Sequence, residues 1–238
     1  MSKLNKLNYI AIIPARKNSK RLIRKNLQEI NGKTMFNFTL DAALNSKKIN
    51  KILITTDIPK LLKKDTKKII HIRRPKNLCQ DHNSTESAIK NAVNYICKNK
   101  NFKIKNIVLL QPTSPFRDAK EIDRAIKEFE KNKLDSMFSA YRDKLTIWRD
   151  KPKLKPVSYS LKKRVRSQFT NDLIIENGAI YIFKKEGFKK YNNRLFNKLG
   201  VFFMSKPKSM EIDSKEDLKF ARLINYRKIF WNHIVKWN

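Results

Sequence analysis

The sequence predicts an α/β protein with a mainly parallel sheet and helices on both faces. Two observations support this prediction: short β-type apolar runs recur along most of the chain, and stretches with apolar residues at helical spacing separate them. The chain has 238 residues, of which 40% are hydrophobic and 32% are charged. This length and composition fit one packed domain and exclude a disordered polymer.

Seven strands are expected in order along the chain. They lie near residues 8–14, 51–56, 68–73, 105–111, 135–141, 178–184 and 200–205. Helices are expected between them, where apolar side chains recur at three- and four-residue spacing, in the sets Met35, Phe36, Leu40 and Ala43; Ala88, Ala92, Val93 and Ile96; and Ile122, Ala125, Ile126 and Phe129. Thr85 and Asp118 occupy the positions expected of helix N-caps.

One segment, residues 144–175, interrupts this alternation. Pro152 and Pro156 break it, and residues 144–166 hold nine basic side chains against one acid. Such a segment is either a solvated loop or a small insert that packs against a partner subunit or closes over an anionic substrate. The catalytic domain would then comprise residues 1–143 and 176–238. Near the end of the chain, the spacing of five apolar residues predicts a docked amphipathic helix, formed by Ile229, Phe230, Trp231, Ile234 and Trp237.

The net charge of +34 is spread evenly along the chain. Lysine dominates it, alongside abundant asparagine and isoleucine, so we interpret the charge mainly as compositional bias and consider nucleic-acid binding a weaker alternative. The apolar run Tyr9–Ala15 is too short to span a bilayer, and Arg16 and Lys17 follow it directly. We therefore expect no membrane association and a cytoplasmic location. The two cysteines match no metal-ligand spacing.

The loop after the first predicted strand is strongly basic. Six of the thirteen residues from Pro14 to Asn26 are Lys or Arg, and neither GxGxxG nor GxxxxGK[ST] is present. In an open α/β sheet, ligands gather at the carboxyl ends of the strands. Arginine and lysine side chains together with backbone N–H groups could hold a triphosphate there. The alternative is a merely solvated loop.

Two further stretches could carry chemistry. Gln111-Pro112-Thr113-Ser114-Pro115-Phe116-Arg117 follows a buried-looking strand and offers polar groups on a backbone fixed by prolines. Glu211 and Asp213 flank one residue, so both carboxylates would point the same way from an extended strand. Such paired oxygen ligands suit Mg²⁺ bridging to phosphates. The alternative for the first stretch is an ordinary strand-to-helix turn. The alternative for the two acids is a helix start, since Ser214-x-x-Asp217 follows as a capping box.

Together these loops resemble the acylneuraminate cytidylyltransferases, which are the CMP-sialic acid synthetases and their relatives for legionaminic and pseudaminic acids. The resemblance covers roughly residues 8–222. Its motifs run in order through Ile12-Ile13-Pro14-Ala15-Arg16, Ser19-Lys20, Lys25-Asn26, the Gln111–Arg117 stretch, Asn177-Gly178-Ala179-Ile180-Tyr181 and Glu211-Ile212-Asp213. CMP-Kdo synthetases carry a Gln-Gly-Asp type motif where this chain has Gln-Pro-Thr, which argues against them.

The resemblance implies a Rossmann-like nucleotidyltransferase fold with a small dimerisation insert, and it implies roles for individual residues. Arg16 and Lys25 would bind the triphosphate, with Ser19 and Asn26 positioning the nucleotide. Asp213 would bind the metal and act in catalysis with Arg16 and Lys25. Glu211 would be a second metal ligand, at a position that is often Asp in the family. The remaining implied residues are Arg74 and Thr85 at the cytosine, and Gln111, Arg166 and Gln168 at the sugar.

The implied reaction is transfer of CMP from CTP to the anomeric hydroxyl of a nine-carbon 2-keto sugar acid, with release of pyrophosphate. Mg²⁺ would be the cofactor and a homodimer the functional unit. An arginine often found just before the Asn-Gly pair in bacterial sialic acid members is absent, since Ile175 and Glu176 stand there. The alternatives are a nucleic-acid-binding basic protein and an inactive family member that binds nucleotide without turnover.

Overall fold

The fold is taken from a computed structural model of the chain. It describes residues 5–19, 21–80, 83–100, 102–158, 160–162 and 173–234, with side chains described from Lys6 to Ile224 within those ranges. In chain order the strands are β1 Asn5–Ala15, β2 Glu29–Ile30, β3 Lys33–Thr34, β4 Lys51–Thr56, β5 Ile69–Arg73, β6 Phe102–Leu109, β7 Ser136–Asp143, β8 Trp148–Arg149, β9 Lys155–Pro156, β10 Leu173–Lys184 and β11 Leu199–Phe203. The helices are α1 Met35–Asn45, α2 Thr85–Asn99, α3 Ala119–Lys131, α4 Lys185–Tyr191 and α5 Lys215–Ile234.

The central sheet has seven strands in the order β11-β7-β10-β6-β1-β4-β5. The pairs β1–β4, β1–β6, β4–β5 and β7–β11 are parallel, whereas β10 runs antiparallel to both of its neighbours. All seven predicted strands are present in this sheet, and the mainly parallel α/β fold is confirmed. The antiparallel direction of β10 was not predicted, because apolar runs alone do not report strand direction.

Helices cover both faces of the sheet. On one face, α1 and α3 pack against the strands through apolar side chains such as Phe36, Ile122 and Phe129. On the other face, α2 and α4 do so through Ile89 and Phe188, among others. This arrangement buries β1 from both sides, which explains why the strand reads as a continuous apolar run rather than an alternating one. The Rossmann-like architecture follows from this layering.

Of the two predicted helix N-caps, the structure confirms one. Asp118 caps α3, because its side chain accepts a hydrogen bond from the Glu121 N–H at 3.0 Å. The prediction for Thr85 was wrong: Ser84 caps α2 by accepting from the Ser87 N–H at 3.3 Å, and Thr85 is the first helical residue. Serine and threonine are both good N-caps, so their adjacency left the position ambiguous.

The segment between β7 and β10 contains the small antiparallel pair β8–β9. Its described apolar side chains are unusually exposed, and they include Leu145, Trp148, Leu154, Val157 and Leu161. Helix α5 continues to Ile234, but the side chains expected to dock its end lie outside the described residues. In the part of the chain that is described, no helix combines the length and apolar character that a membrane crossing requires.

Helix α5 begins with the predicted capping box. The Asp217 N–H donates to Ser214 Oγ at 3.1 Å, and Asp217 Oδ2 accepts from the N–H groups of Ser214 at 2.8 Å and Asp213 at 2.9 Å. Burial alone would raise the pKa of Asp217, but these backbone donors favour the charged carboxylate and hold its pKa below the ordinary value. The box thereby fixes the backbone at Asp213.

We expect Asp217→Ala to lower the free energy of unfolding by about 1 kcal/mol at pH 7, as loss of a cap does. Because the folded-state pKa lies below the unfolded value of 3.8, this stabilisation is complete above pH 3.8 and is lost as pH falls through the folded pKa. Urea unfolding at pH 7 and pH 3 measures it, with the neighbouring exposed Glu216→Ala as control. If Asp217→Ala lowers the free energy of unfolding by the same amount at pH 7 and at pH 3, the proposed role of the charged carboxylate is wrong.

Candidate active site

A cleft of about 510 Å³ opens at the carboxyl ends of the parallel strands. The structure brings together seven of the side chains predicted to form the site, and these line the cleft: Arg16, Ser19, Lys25, Asn26, Arg74, Thr85 and Gln111. They come from the loops after β1, β5 and β6 and from the start of α2. Parallel strands deliver these loops to the same edge of the sheet, which is where α/β folds bind ligands.

Hydrogen bonds hold the basic loop after β1 in place. The Asn26 side chain is buried and donates from Nδ2 to the Arg16 carbonyl at 3.0 Å, which ties the two ends of the loop together. The Lys17 N–H donates to Asp57 Oδ1 at 2.7 Å, which ties the loop to the end of β4. Arg24 adopts the left-handed conformation, with φ of 50°, directly before a 3₁₀ turn that begins at Lys25. The loop therefore presents its cations from a defined backbone.

The cations of the loop reach the acidic segment before α5. Lys25 Nζ lies 2.5 Å from Asp213 Oδ1, and Arg21 Nη2 lies 2.6 Å from Asp213 Oδ2. The side chains of Lys25 and Asp213 are 18% and 25% exposed, so this pair is partly screened from water, whereas Arg21 is 74% exposed. Sequence reasoning gave Arg21 no role of its own, because nothing local to it indicates a partner almost two hundred residues away.

The second carboxylate, Glu211, lies beside the Gln-Pro-Thr turn. Thr113 Oγ1 donates to Glu211 Oε1 at 3.4 Å, and the N–H of the intervening Ile212 donates to the Thr113 carbonyl at 2.8 Å. The Glu211 residue is exposed, but neighbouring protein atoms partly desolvate its carboxyl and raise its pKa; the Asp213 carboxylate raises the pKa further, while Lys25 opposes the shift. The predicted strand at residues 211–213 is wrong: the backbone there is irregular, and the Ile212 side chain between the two acids is buried.

Gly178 allows these groups to converge. Its φ is +64°, and a Cβ at this position would lie 2.8 Å from Gln111 Oε1 and 3.3 Å from Glu211 Oε1. Gln111 and Glu211 therefore approach one point of the β10 backbone, and only glycine leaves room for both. The Asn-Gly pair of the sequence is thus a close-approach site between the turn and the acidic segment.

Asn177 is a buried hub whose role sequence reasoning did not identify. Its Oδ1 accepts from Ser139 Oγ at 2.6 Å, and its Nδ2 donates to Ser209 Oγ at 2.8 Å. Its carbonyl accepts from Ser114 Oγ at 2.9 Å. These bonds join β7, β10, the Gln-Pro-Thr-Ser turn and the segment that leads to the two acids. No periodic pattern indicates such contacts, because each of them spans 32 residues or more.

A second buried group supports the same turn. The Arg117 guanidinium donates from Nη1 to the carbonyl oxygens of Gln111, at 3.0 Å, and Ser114. The side chain is buried, and this burial lowers the pKa of Arg117 to about 9. Arg117 therefore supports the backbone from which Gln111 reaches the cleft.

Arg74 lines the same cleft from the loop after β5. Its Nη2 donates to the Thr55 carbonyl at 2.8 Å, and its backbone N–H donates to the Thr56 carbonyl at 2.8 Å. Burial lowers the pKa of Arg74, and the Arg16 charge adds to this effect, while Asp57 opposes it. The guanidinium is thus fixed to the end of β4, and Thr85 at the start of α2 faces the same cleft.

A second cavity of about 570 Å³ adjoins the first at the acidic segment. Its wall includes Tyr141, Glu176, Asn177, Met210 and Glu211. Because Glu211 also approaches Gln111 at Gly178, the two cavities meet at these residues. The two remaining predicted site residues, Arg166 and Gln168, lie outside the described residues.

Comparison with known proteins places the chain in a family. A family model described as cytidylyltransferase matches residues 10–234. The N-acylneuraminate cytidylyltransferase of Escherichia coli O18:K1:H7 is 30% identical over 92% of this chain, and the chain spans about half of that protein, 52%. The pseudaminic acid cytidylyltransferase of Campylobacter jejuni serotype O:23/36 is 26% identical over 90% of this chain and 95% of its own length.

A solved structure shows the same fold. It is that of a CMP-2-keto-3-deoxy-manno-octonic acid synthetase complexed with CTP, which matches with a TM-score of 0.64 over 93% of this chain and 99% of its own. At 15% identity this likeness concerns the fold alone. The family model, by contrast, spans nearly the whole sequence and includes every loop of the cleft. The chain therefore belongs to the cytidylyltransferase family, and the family that its loop motifs predict is confirmed.

Proposed function

We propose that this protein transfers CMP from CTP to the anomeric hydroxyl of a nine-carbon 2-keto sugar acid and releases pyrophosphate. The observation that carries the proposal is the contact of Asp213 with Lys25 and Arg21, two cations that line the cleft. This contact places a carboxylate beside the cationic loop, as transfer of a highly charged nucleotidyl group requires. The names of the E. coli and Campylobacter relatives support the substrate class.

The nucleotide would lie along the cleft, with its base at the Arg74 end. Arg74 is fixed to β4 and offers a rigid guanidinium, while Thr85 faces it from α2. The triphosphate would lie at the other end, where Arg16 and Lys25 supply positive charge and Ser19 supplies a hydroxyl. Asn26 would act by holding the loop closed through its bond to Arg16.

The sugar acid would occupy the second cavity and approach the nucleotide past Gln111. Gln111 lines the nucleotide cleft and touches the point where the two cavities meet. Its amide could bind a sugar hydroxyl or the ribose from there. Arg166 and Gln168, which belong to the basic insert, would supply further contacts to the sugar acid.

Mg²⁺ fits the donor chemistry of the acidic segment. Asp213 and Glu211 are hard oxygen donors coupled to each other by charge, and no group of three or more His, Cys, Asp or Glu suited to a metal occurs among the described residues. Two carboxylates completed by substrate phosphates are the usual way in which proteins bind Mg²⁺. The ion would supply charge neutralisation on the triphosphate. Asp213 is the main ligand in this proposal and Glu211 the second.

In the reaction, the anomeric hydroxyl oxygen attacks the α-phosphorus and gives up its proton to solvent water, while the bond to pyrophosphate breaks in line. Negative charge grows on the leaving oxygens, and Arg16 and Lys25 stabilise it from a loop whose backbone is already fixed. Before CTP binds, Lys25 is neutralised by Asp213. Binding of the triphosphate would transfer Lys25 from the carboxylate to the phosphates.

We expect CTP to be used at least tenfold better than ATP or GTP, because the region at Arg74 and Thr85 that we assign to cytosine would have to accept the larger purine ring; tenfold is about 1.4 kcal/mol of discrimination. Pyrophosphate release measured with each triphosphate, Mg²⁺ and sialic, legionaminic or pseudaminic acid tests this. Reactions without the sugar acid are the control. Equal turnover with all triphosphates would contradict the assignment, and CTP binding without any turnover would indicate an inactive family member.

We expect Lys25→Ala to lower kcat by about 10²- to 10³-fold with a smaller change in KM for CTP, because it removes a contact to charge that develops in the transition state. Asp213→Ala should instead raise the Mg²⁺ concentration needed for half-maximal rate. Lys33→Ala, which breaks an exposed pair with Asp41, is the matched control and should leave both parameters unchanged. Wild-type kcat in Lys25→Ala would show that the loop is structural only.

We also propose that residues 144–175 form a dimerisation insert that pairs with a second copy of the chain. Its exposed apolar residues, among them Leu154 at 64% and Leu161 at 68%, would be covered in the dimer. Sedimentation should show a wild-type dimer and a monomeric Leu154→Asp, Leu161→Asp variant, because buried charges disfavour the interface. Leu223→Asp, at an equally exposed position on α5, is the control. A monomeric wild type would refute the proposal.

A further inference from the structure

Four polar side chains contact one another in series beside the site, and the proposed reaction does not use them. Arg194 Nη1 lies 2.6 Å from Glu86 Oε1, next to Thr85 at the start of α2. The Arg194 guanidinium stacks on the Tyr181 ring, 4.5 Å from its centroid. The Tyr181 hydroxyl donates to Glu176 Oε1. This series therefore runs from the nucleotide side of the site to the second cavity.

This arrangement holds the Glu176 carboxylate in place. Tyr181 is buried, and its burial together with the hydrogen bond to Glu176 raises the pKa of the phenol, which remains a donor at neutral pH. Arg194 is 22% exposed and Glu86 is 18% exposed, so their pair is fixed against the ring rather than free in solvent. An ordinary surface glutamate has no such support. Glu176 is nevertheless exposed, since it lines the second cavity.

Strand β10 directs Glu176 towards that cavity. Its pairing with β7 is regular up to Glu176, opposite Ala140, and then shifts before Tyr181, opposite Phe138. The irregularity contains Asn177 and the left-handed Gly178. Because of this shift, Glu176 and Tyr181 come into contact although they are five residues apart on one strand. The bulge thus places a carboxylate at the cavity wall close to Glu211.

We infer that Glu176 is a specificity-determining residue that selects acceptors presenting an N–H donor, above all a cationic amidino group, to the β10 side of the second cavity. This inference rests on the proposed function and goes beyond it by naming the acceptor chemistry. A carboxylate is an acceptor only, and it binds an amidine through two charge-assisted hydrogen bonds. Glu176 and Glu211 together repel a second anion, so the acceptor's own carboxylate would point away from them.

Lys206 is the cationic group described in the wall of this cavity, but it does not neutralise Glu176. Its Nζ lies 2.6 Å from Asp143 Oδ2, and it also lies over the Tyr141 ring. Arg194 is likewise engaged by Glu86. Within the described part of the chain, no cation is paired with the Glu176 carboxylate, which leaves its charge to a ligand that enters the cavity.

The test compares two acceptors of nearly equal shape, a nine-carbon 2-keto sugar acid that carries an acetamidino group and the same acid with an acetamido group. For each we would measure kcat/KM with saturating CTP in the wild type and in Glu176→Gln. The ratio of amidino to acetamido acceptor should fall about tenfold in Glu176→Gln, because glutamine keeps an oxygen for Tyr181 but loses the charge. The KM for CTP should not change.

Two further variants separate specificity from structure. Glu186→Gln makes the same change at a glutamate 74% exposed on α4 and should leave the ratio at the wild-type value. Tyr181→Phe removes the hydroxyl that holds Glu176 and should lower the ratio of amidino to acetamido acceptor, but by less than Glu176→Gln does.

An unchanged ratio in an active Glu176→Gln enzyme would overturn this inference and leave the proposed function intact. Absence of CMP transfer by the wild type to any nine-carbon acid would overturn both.

Discussion

The ion pair between Lys25 and Asp213 is the contact on which the site depends, because it joins two segments that are 188 residues apart in sequence. Each partner is fixed from its own side: Lys25 by the loop closed through Asn26, and Asp213 by the capping box of α5. The buried Ile212 between the two acids prevents the segment from turning away. Replacing the carboxylate by a phosphate would cost little free energy, because the Lys25 cation is already partly desolvated and in position.

The sequence predicted the fold well because the fold follows from local patterns. β1 from Tyr9 and β6 from Ile107 are buried on both faces, so their apolar runs are continuous there, and the helices show their buried stripes at helical spacing. The direction of β10 and the identity of the α2 cap were not predictable in this way. Strand direction depends on the path of the chain between strands, and Ser84 and Thr85 are nearly equivalent as caps. The hairpin β8–β9 was missed because two-residue strands produce no period.

The candidate site was predicted in its residues but not in its connections. The cations of the first loop and the polar Gln-Pro-Thr turn are evident from composition at a strand end, and seven of the predicted side chains line one cleft. The bonds that position them were not evident. Asn177 joins Ser114, Ser139 and Ser209 through contacts that only the folded sheet creates. Polar hubs of this kind have no sequence period, so the structure was needed to find them.

The meeting of two cavities at Gly178 has a consequence for the order of events in the site. Gln111 lines the first cavity and Glu211 lines the second, and both approach the same glycine, so ligands in the two cavities would lie against neighbouring side chains. The Thr113–Glu211 contact and the Thr113–Ile212 hydrogen bond link the turn to the acidic segment as one unit. Under the proposed function, the triphosphate would draw Lys25 away from Asp213, while Mg²⁺ would bring positive charge to Asp213 and Glu211. Occupation of the nucleotide cleft would therefore change the electrostatic field at Glu211 in the second cavity, without any movement of the sheet.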